Sequence, residues 1–345
     1  MTNAAPTPIV VGLSGAMLTA GEASFLADAR PAGVIVFARN VDTPDRLKAL
    51  VAEAREAIGD DDALVLIDQE GGRVARLGPP HWREAPPMAR FGLLAAHDVA
   101  LAEEAAWLNA RLLAADLAAL DISVNCLPVL DLPTIEADPI ISDRAFSCDP
   151  ALAGRLGRAT VAGLLAGGVL PVIKHIPGHG RAGVDSHKAL PRVTADRATL
   201  ERTDFAPFRA LADAPIAMTA HIVYTAIDGA RPATCSPHLI AEVIRGHLGF
   251  DNLLLSDDLD MAALSGSIGE RARASLEAGC DVVLQCSGDL DQARAAAAAC
   301  PSITAAALRR LQAAKAARGR ADDNDLAQTR ARLDMLLGEG QETAR

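Results

Sequence analysis

Aromatic residues and positive charge are both scarce in this sequence. One tyrosine, two tryptophans and seven phenylalanines occur among 345 residues, and acidic residues outnumber lysine and arginine by 44 to 33. Proteins that bind nucleic acid usually carry a basic patch, often with aromatic side chains that stack on bases. Neither feature is present, so we expect no nucleic-acid partner.

Long apolar runs are also missing. No stretch approaches the roughly 18 consecutive apolar residues that a membrane-spanning helix needs. The N-terminal sequence MTNAAPTPIVVGLSG lacks the basic segment and long apolar segment of a signal peptide. We therefore expect no membrane association and a cytoplasmic location.

Cysteine is sparse and widely spaced, with six residues and no C-x-x-C pair. The closest two, Cys280 and Cys286, are expected at opposite ends of one strand, where they cannot meet in a disulfide. Reduced thiols buried in a core are typical of cytosolic proteins. The cysteine pattern therefore favours a cytosolic protein without disulfides.

What the sequence contains in quantity is an alternation of short apolar runs with alanine-rich helical segments. Continuous apolar runs are typical of parallel strands buried on both faces. Eight such runs with helical crossovers predict a (β/α)8 barrel of the TIM type, with a doubly wound sheet as the alternative. The predicted strands are residues 8–15, 32–39, 63–70, 122–132, 168–176, 215–223, 252–260 and 280–287. Helices are predicted between them, including 44–57, 98–119, 152–165 and 236–248.

No linker or change in composition divides the chain before about residue 300. We therefore predict a single barrel domain over residues 1–300. Residues 301–345 are predicted to form a helical extension packed on the barrel, with one or two helices over 303–337 and frayed last residues over 338–345. We expect the protein to be a monomer.

Charged and polar residues follow several predicted strands at their carboxyl ends, where barrel enzymes build their sites. A lone aspartate there could equally be a helix N-cap or part of a loop salt bridge. Residues of this kind on five strands instead predict a cleft lined with carboxylates, lysine and histidine, which suits a polyhydroxylated substrate. They are Asp68, Glu70, Asp131, Lys174, His175, His221, Asp257 and Asp258.

The segment KHIPGHGRAGVDSHKALP, residues 174–191, allows three interpretations. Its GHGRAG fits the G-x-G-x-x-G pattern of dinucleotide-binding loops, but no amphipathic helix start follows. A metal site would use His175, His179, Asp185 and His187. However, a proline and a glycine between the first two histidines disfavour the helix that an H-x-x-x-H site needs.

The third interpretation is an acid/base pair. Asp185 can accept a hydrogen bond from one ring nitrogen of His187, which fixes the tautomer and favours the imidazolium. The other nitrogen could donate a proton to a leaving group and later take one from water. On the dipeptide spacing alone, an incidental pair in a surface turn is the stronger alternative.

Glycosidic hydrolysis also needs a second group, usually a carboxylate. The strand end LLLSDDLDM supplies Asp257 and Asp258. Consecutive side chains on a strand face opposite sides, so we expect the two aspartates not to share one role. The alternation of side chains alone does not show which of the two aspartates is the catalytic carboxylate.

Seven motifs occur in order along the chain: IDQEGGRVARL (67–77), PVLDL (128–132), ISDRAF (141–146), KHIPGHG (174–180), DSH (185–187), MTAHIVY (218–224) and GFDNLLLSDDLDM (249–261). Over about residues 8–290 the chain thereby resembles glycoside hydrolase family 3, specifically its single-domain β-N-acetylhexosaminidases of peptidoglycan recycling. It departs from the common family pattern at Ile176, where phenylalanine is common, and at Asp260, where serine is frequent.

The resemblance implies roles for individual residues. Asp257 matches the catalytic nucleophile, His187 the general acid/base, and Asp185 the partner of that histidine. The positions that bind the terminal sugar are matched by Asp68, Arg76, Arg144, Lys174 and His175. For the two arginines the alternative is a surface salt bridge, worth about 0–1 kcal/mol. Two further histidines have no catalytic match: His179 is expected to be structural, and His221 to line the barrel mouth.

The resemblance also implies an activity. It is the retaining removal of terminal β-linked N-acetylglucosamine from cytosolic anhydro-muropeptide fragments, without a metal or organic cofactor. The loop carrying His187 is expected to fold over the cleft, with Gly178, Gly180 and Gly183 supplying mobility. Four alternatives stay open: a metallo-hydrolase, a non-catalytic sugar-binding barrel, attack by the substrate's own acetamide, and phosphate in place of water.

Overall fold

The computed structural model describes residues 5–338 and contains ten strands in that range. They are β1 (Thr7–Gly12), β2 (Pro31–Val36), β3 (Leu64–Ile67), β4 (Val124–Asn125), β5 (Leu170–Ile176), β6 (Arg192–Val193), β7 (Ile216–Thr219), β8 (Val223–Tyr224), β9 (Leu253–Asp258) and β10 (Val282–Gln285). Eight of them close into a parallel barrel in the order β1-β10-β9-β7-β5-β4-β3-β2, and β6 pairs with β8. Closure confirms the (β/α)8 barrel and excludes the doubly wound sheet, whose edges stay open.

Each of the eight predicted strands overlaps one barrel strand, and every observed barrel strand is shorter than its prediction. The largest difference is at β4, which ends at Asn125 within the predicted strand 122–132. Beyond it the chain stays buried and continues to bond the main chain of β5 through Leu127, Pro128 and Leu130, with an isolated bridge between Val129 and Lys174. The apolar run therefore continues past the strand because this segment stays packed against β5 without forming a regular ladder.

Side chains on the barrel strands alternate between two apolar layers. On β1, Val10 belongs to the cluster inside the barrel, whereas Ile9 and Val11 pack with residues of the surrounding helices. All three side chains are essentially inaccessible to solvent. Burying a side chain of this size stabilises the fold by about 1.5–3 kcal/mol. This double burial explains why the strands lack an alternating polar pattern.

Helices connect the strands around the outside of the barrel. They are α1 (Ala20–Ala29), α2 (Pro44–Ile58), α3 (Ala89–Ala95), α4 (Val99–Ala119), α5 (Pro150–Ala166), α6 (Arg197–Arg202), α7 (Ala206–Ala210), a π-helix (Leu239–His247), α8 (Ile268–Ala278), α9 (Leu290–Ala299), α10 (Ala305–Ala317) and α11 (Leu326–Leu337). Single 3₁₀ turns occur at Ala38–Asn40, Ser142–Arg144 and Ala233–Cys235.

Capping side chains set the helix starts. The carboxylate of Asp149 accepts the backbone N–H groups of Ala151 and Leu152, so α5 begins at Pro150, two residues before the predicted start. Asp98 caps α4 in the same way. The predicted helix 236–248 corresponds to the π-helix.

Two helices follow the barrel, within the predicted range 303–337. α10 contacts β5 and β9, and α11 packs on α4, where Arg332 forms an ion pair with Glu104 at 2.7 Å. Gly338, in the left-handed conformation, ends α11. The rest of the predicted frayed end lies outside the described residues, and the domain boundary at residue 300 stays a prediction. Within residues 5–338, no helix combines the length and the apolar character that a membrane crossing requires.

Two irregularities of strand register occur at the carboxyl end of the barrel. β5 advances one residue more than β7 between Lys174 and Ile176. β9 advances one residue more than β10 between Leu255 and Asp258. Such bulges interrupt the alternation of side chains and are common beside active sites at barrel rims. Both irregularities lie at strand ends that carry polar residues.

Candidate active site

A cavity of about 180 Å³ opens at the carboxyl end of the barrel strands, above an apolar floor that includes Ile35, Met218 and Leu284. Seven of the eight predicted site residues line it: Asp68, Arg76, Arg144, Lys174, His175, His187 and Asp257. The eighth, Asp185, contacts His187. A more open groove of about 1230 Å³ lies along the loop of residues 75–87, but it shares only Arg76 with the cavity. The smaller cavity therefore holds the candidate site.

An alternating chain of five charged side chains forms one side of the cavity, and we call it the buried ion network. Lys174 Nζ lies 2.9 Å from Asp68 Oδ1 and 2.7 Å from Glu70 Oε1. Arg76 pairs with Asp68 at 3.0 Å. Arg144 forms a bidentate ion pair with Glu70, with both N···O distances 2.9 Å. The site therefore holds three cations and two carboxylates in fixed positions.

Mutual attraction keeps these groups charged despite their burial. Burial alone would raise the pKa of Asp68 and Glu70, but Lys174 and the neighbouring arginines hold both below their ordinary values. Burial would lower the pKa of Lys174, and the two carboxylates raise it above its usual range. The surface-salt-bridge alternative is wrong for Arg144, whose side chain is only 10% exposed.

Glu70 was predicted at a strand end but not as a site residue. Its side chain is 1% exposed and touches both Lys174 and Arg144. Two signals in the sequence point to it: its position two residues after Asp68, and its place inside the motif IDQEGG. Its contact partners, however, lie 74 and 104 residues along the chain, which no local pattern specifies.

Asp131 is a second residue that the predicted site omitted. One carboxylate oxygen lies 2.7 Å from Nδ1 of His175. The other accepts the backbone N–H groups of His175, at 3.1 Å, and of His179, at 2.6 Å. Burial opposes ionisation, but the two histidines lower the pKa of Asp131 to about 2. A charged carboxylate thus holds the end of β5 and the loop that follows it.

Asp257 and Asp258 both line the cavity. The alternation expected along the strand does not keep either residue out of the cavity wall, and the register irregularity of β9 falls between Leu255 and Asp258. The backbone N–H of Asp258 donates to Asp257 Oδ1 at 2.8 Å. One carboxylate is thereby oriented by the main chain of its neighbour.

The two adjacent aspartates differ in their electrostatic surroundings. Burial would raise the pKa of Asp257, but His175 and His221 hold it below its ordinary value. Burial, together with Asp260 and Asp257, raises the pKa of Asp258 to about 7. Neighbouring carboxyl groups with separated pKa values are typical of sites that divide chemical roles. Asp257 is the one that stays ionised at neutral pH, as a nucleophile requires.

His221 does not line the cavity, so that expectation is wrong. Its ring is fully buried, with Nε2 2.9 Å from the main-chain oxygen of Asp258 and Nδ1 2.7 Å from the hydroxyl of Thr234. Burial lowers the pKa of His221, which favours the neutral ring. Because a carbonyl oxygen only accepts, Nε2 is the donor. His221 therefore supports the main chain at the aspartate pair.

His187 and Asp185 form a hydrogen-bonded pair at the cavity mouth. Nδ1 of His187 lies 2.8 Å from Asp185 Oδ1, which also accepts the backbone N–H of His187 at 2.9 Å. Burial would raise the pKa of Asp185, but these contacts with His187 hold it below its ordinary value. The carboxylate therefore accepts from Nδ1 and leaves Nε2 of His187 for other partners.

The loop of residues 177–188, which carries His187, is tied to its surroundings. The ring Nε2 of His179 lies 3.0 Å from the hydroxyl of Ser186. Gly178 adopts a φ of 140°, and a Cβ on Gly180 would collide with the main chain of Leu132. Gly180 therefore serves close packing, Gly178 supplies a backbone conformation that favours glycine, and the mobility of the loop stays a prediction. Only at Gly183, of the three, is there open space for a side chain.

The metal interpretation is not favoured by the positions of its residues. The ring of His175 bonds Asp131 and the ring of His179 bonds Ser186, whereas Asp185 and His187 bond to each other. Within residues 5–338, no group of three or more histidine, cysteine or carboxylate side chains is arranged to hold a metal ion.

Comparison with known proteins agrees with this geometry. Residues 11–314 match the model of the glycosyl hydrolase family 3 N-terminal domain. The chain belongs to glycoside hydrolase family 3. A beta-hexosaminidase of Alkalilimnicola ehrlichii is 42% identical to it over 286 residues, which cover 81% of this chain and 80% of that protein. A beta-hexosaminidase of Bordetella avium is 38% identical over 285 residues, which cover 81% of each chain.

Solved structures give the same result. NagZ from Neisseria gonorrhoeae, in complex with N-trifluoroacetyl-D-glucosamine, superposes with a TM-score of 0.87 at 31% identity. That match covers 98% of this chain and 99% of the other. The family 3 chain is accordingly a glycoside hydrolase with β-N-acetylhexosaminidase activity, as the motifs predicted.

Proposed function

We propose that this family 3 enzyme is a retaining exo-β-N-acetylglucosaminidase. It removes terminal β-1,4-linked N-acetylglucosamine from cytosolic anhydro-muropeptide fragments during peptidoglycan recycling. The observation that carries the proposal is that an ionised Asp257 and the paired His187 line the same small cavity. A carboxylate and a proton donor at one anomeric centre are what retaining hydrolysis requires.

The terminal sugar is held by the buried ion network and His175. Charged donors and acceptors in fixed positions match the alternating hydroxyl groups of a pyranose, because each hydroxyl can both donate and accept. Asp68 and Glu70 each pair with two of the three cations, so a neutral sugar can bind without adding a charge to the network. The cavity volume of about 180 Å³ suits one sugar ring, which supports removal from a chain end.

In the first chemical step Asp257 attacks the anomeric carbon. The bond between that carbon and the leaving oxygen breaks, and Nε2 of His187 donates its proton to the leaving oxygen. Asp185 stabilises the imidazolium that serves as the acid and keeps Nδ1 protonated. A glycosyl ester on Asp257 results, with the configuration at the anomeric carbon inverted.

In the second step a water molecule attacks the same carbon. His187, now neutral, accepts the proton from water through Nε2, and the Asp257 carboxylate leaves. The second inversion restores the β configuration. His187 returns to the protonated state, so the cycle needs no external acid or cofactor.

The direct test uses a chromogenic N-acetyl-β-glucosaminide with EDTA present, and ¹H NMR to follow the first anomer released. We expect EDTA-insensitive release of the β anomer. A 2-fluoro sugar should label Asp257, as seen by mass spectrometry. Absence of release, or release of the α anomer first, would contradict the proposal, and labelling elsewhere would contradict the role of Asp257.

The substrate is tested separately on a mixture of muropeptides. Wild-type enzyme should release N-acetylglucosamine and leave products that begin with anhydro-N-acetylmuramic acid. His187→Ala should leave the mixture intact over the same time. Release from the chromogenic substrate but not from muropeptides would retain the mechanism and reject the physiological substrate.

A further inference from the structure

Asp131 is buried behind the cavity, and both of its oxygens are engaged by protein groups. Oδ2 lies 2.7 Å from Nδ1 of His175, and Oδ1 accepts the backbone N–H groups of His175 and His179. The side chain is inaccessible to solvent and is not part of the cavity wall. Any effect of Asp131 on the reaction must therefore pass through the residues it holds.

The first of these effects concerns the ring of His175. An ionised carboxylate has no proton to donate, so the hydrogen bond requires the ring proton to be on Nδ1. Nε2 of His175 has no hydrogen-bond partner among residues 5–338 and belongs to a side chain that lines the cavity. Asp131 thereby determines which nitrogen of His175 is available to a sugar hydroxyl.

The second effect concerns the loop of residues 177–188. The bond from the His179 N–H to Asp131 fixes the chain where it leaves β5, and the ring of His179 then bonds Ser186. Ser186 directly precedes His187, and its carbonyl accepts the backbone N–H of Ala263. Burial, with His175 as the next cause, lowers the pKa of His179 to about 4, so this connection does not change charge near neutrality.

We propose that Asp131 is a positioning residue for both parts of the site. It fixes the ring proton of His175 on Nδ1, and it anchors the start of the loop that presents His187. The proposal rests on the sugar-binding role of His175 and the acid/base role of His187 given above. One part of its test needs no substrate, so failure of the proposed function leaves that part intact.

Asp131→Asn is the informative change. The amide oxygen can still accept the two backbone N–H groups, but the amide NH₂ now faces Nδ1 of His175 as a donor. Nδ1 must then accept, which moves the ring proton to Nε2. We expect kcat/KM to fall by about 10–100-fold, the usual cost of losing a residue that orients a functional histidine.

The spectroscopic measurement is a long-range ¹H–¹⁵N correlation of the histidine rings, with His175 assigned through His175→Gln. In wild-type protein Nδ1 of His175 should be protonated, whether the ring is neutral or charged. In Asp131→Asn it should lose that proton. An unprotonated Nδ1 in wild type, or an unchanged ring in the variant, would overturn the proposal. If the variant does not fold, an unprotonated Nδ1 in the wild-type spectrum still overturns the proposal.

Asp281→Asn is the matched control. Asp281 is equally buried, accepts the N–H of Leu254 and pairs with Arg245 and Arg310, but it precedes β10 at the end of the barrel opposite the cavity. This variant should lose stability yet retain kcat/KM within about twofold and keep the His175 ring signals. An equal loss of activity in both variants would show that Asp131 acts only through stability and would also overturn the proposal.

Discussion

The buried ion network and the loop of residues 177–188 perform their roles in opposite surroundings. Side chains of Glu70 and Lys174 are 1% and 3% exposed, whereas that of His187 is 61% exposed. Both regions use carboxylates paired with cations or histidine, so residue types alone do not distinguish them. The proposed function accounts for the difference: fixed charges would bind one sugar ring, and a proton donor must meet both a leaving group and water.

The largest expected effect concerns Asp257, which lines the cavity together with residues of both regions. Asp257→Ala should lower kcat by about 10⁴-fold or more, because the proposed glycosyl ester forms on this carboxylate. Steady-state release of a chromogenic aglycone measures it. A loss below about tenfold would favour the alternative in which the acetamide of the substrate is the nucleophile.

His187→Gln tests the exposed region. We expect kcat to fall by about 10²–10⁴-fold, the usual contribution of general acid/base catalysis. The free energy of unfolding should change by less than about 0.5 kcal/mol, because the side chain is mostly exposed. The control is Val184→Ala, an exposed change in the same loop, which should leave both quantities near wild type. Strong destabilisation by His187→Gln would contradict the contrast between the regions.

Glu70→Gln tests the buried region. It leaves Lys174 and Arg144 buried with one carboxylate fewer, so we expect a loss of about 3–5 kcal/mol in the free energy of unfolding and a higher KM. Urea denaturation and steady-state kinetics measure the two effects. The matched control is Glu103→Gln, which breaks a bidentate ion pair with Arg155 on the surface. That change should lower the free energy of unfolding by about 0–1 kcal/mol. Equal losses in the two variants would contradict the distinction between the buried and the surface ion pair.

Asp258 gives the smallest effect, and it depends on pH. Its pKa in the folded protein, about 7, exceeds its ordinary value, so the folded state binds its proton more tightly. The resulting stability is fully present below about pH 4 and is lost as pH rises through 7. As the pH rises from 5 to 8, the free energy of unfolding of Asp258→Asn should therefore increase relative to that of wild type, by an amount on the order of 1–3 kcal/mol. The measurement is the urea-denaturation midpoint of each protein as a function of pH. The same pH dependence in wild type and Asp258→Asn would contradict this assignment.

Much of the fold and site was predictable from local patterns. Eight doubly buried strands produce eight continuous apolar runs, and the carboxyl ends of parallel strands meet at one end of a barrel. The side chains of Asp68, Lys174 and Asp257 could therefore be placed at a common site without knowledge of their distances. The spacing of Asp185 and His187 also allowed a pair, since residues two apart in a turn can contact each other, but the acid/base role came from the family motif.

The contacts that organise the site were less predictable. Lys174 and Asp68 are 106 residues apart, and His175 and Asp131 are 44 residues apart. A pairing over such distances depends on the register of several strands. For this reason Glu70 and Asp131 were recognised only as polar strand ends, and His221 was expected in the cavity that it supports from behind.

Local sequence patterns were enough to predict the barrel, the end of the barrel that carries the polar residues, and the membership in family 3. These properties depend on the period of buried side chains and on short motifs, both of which are local. How consecutive polar residues are used depends instead on contacts between distant segments. Register irregularities in β5 and β9 lie where two consecutive pairs, Lys174 with His175 and Asp257 with Asp258, line one cavity. Such a bulge is a relation between neighbouring strands and leaves no period within either one.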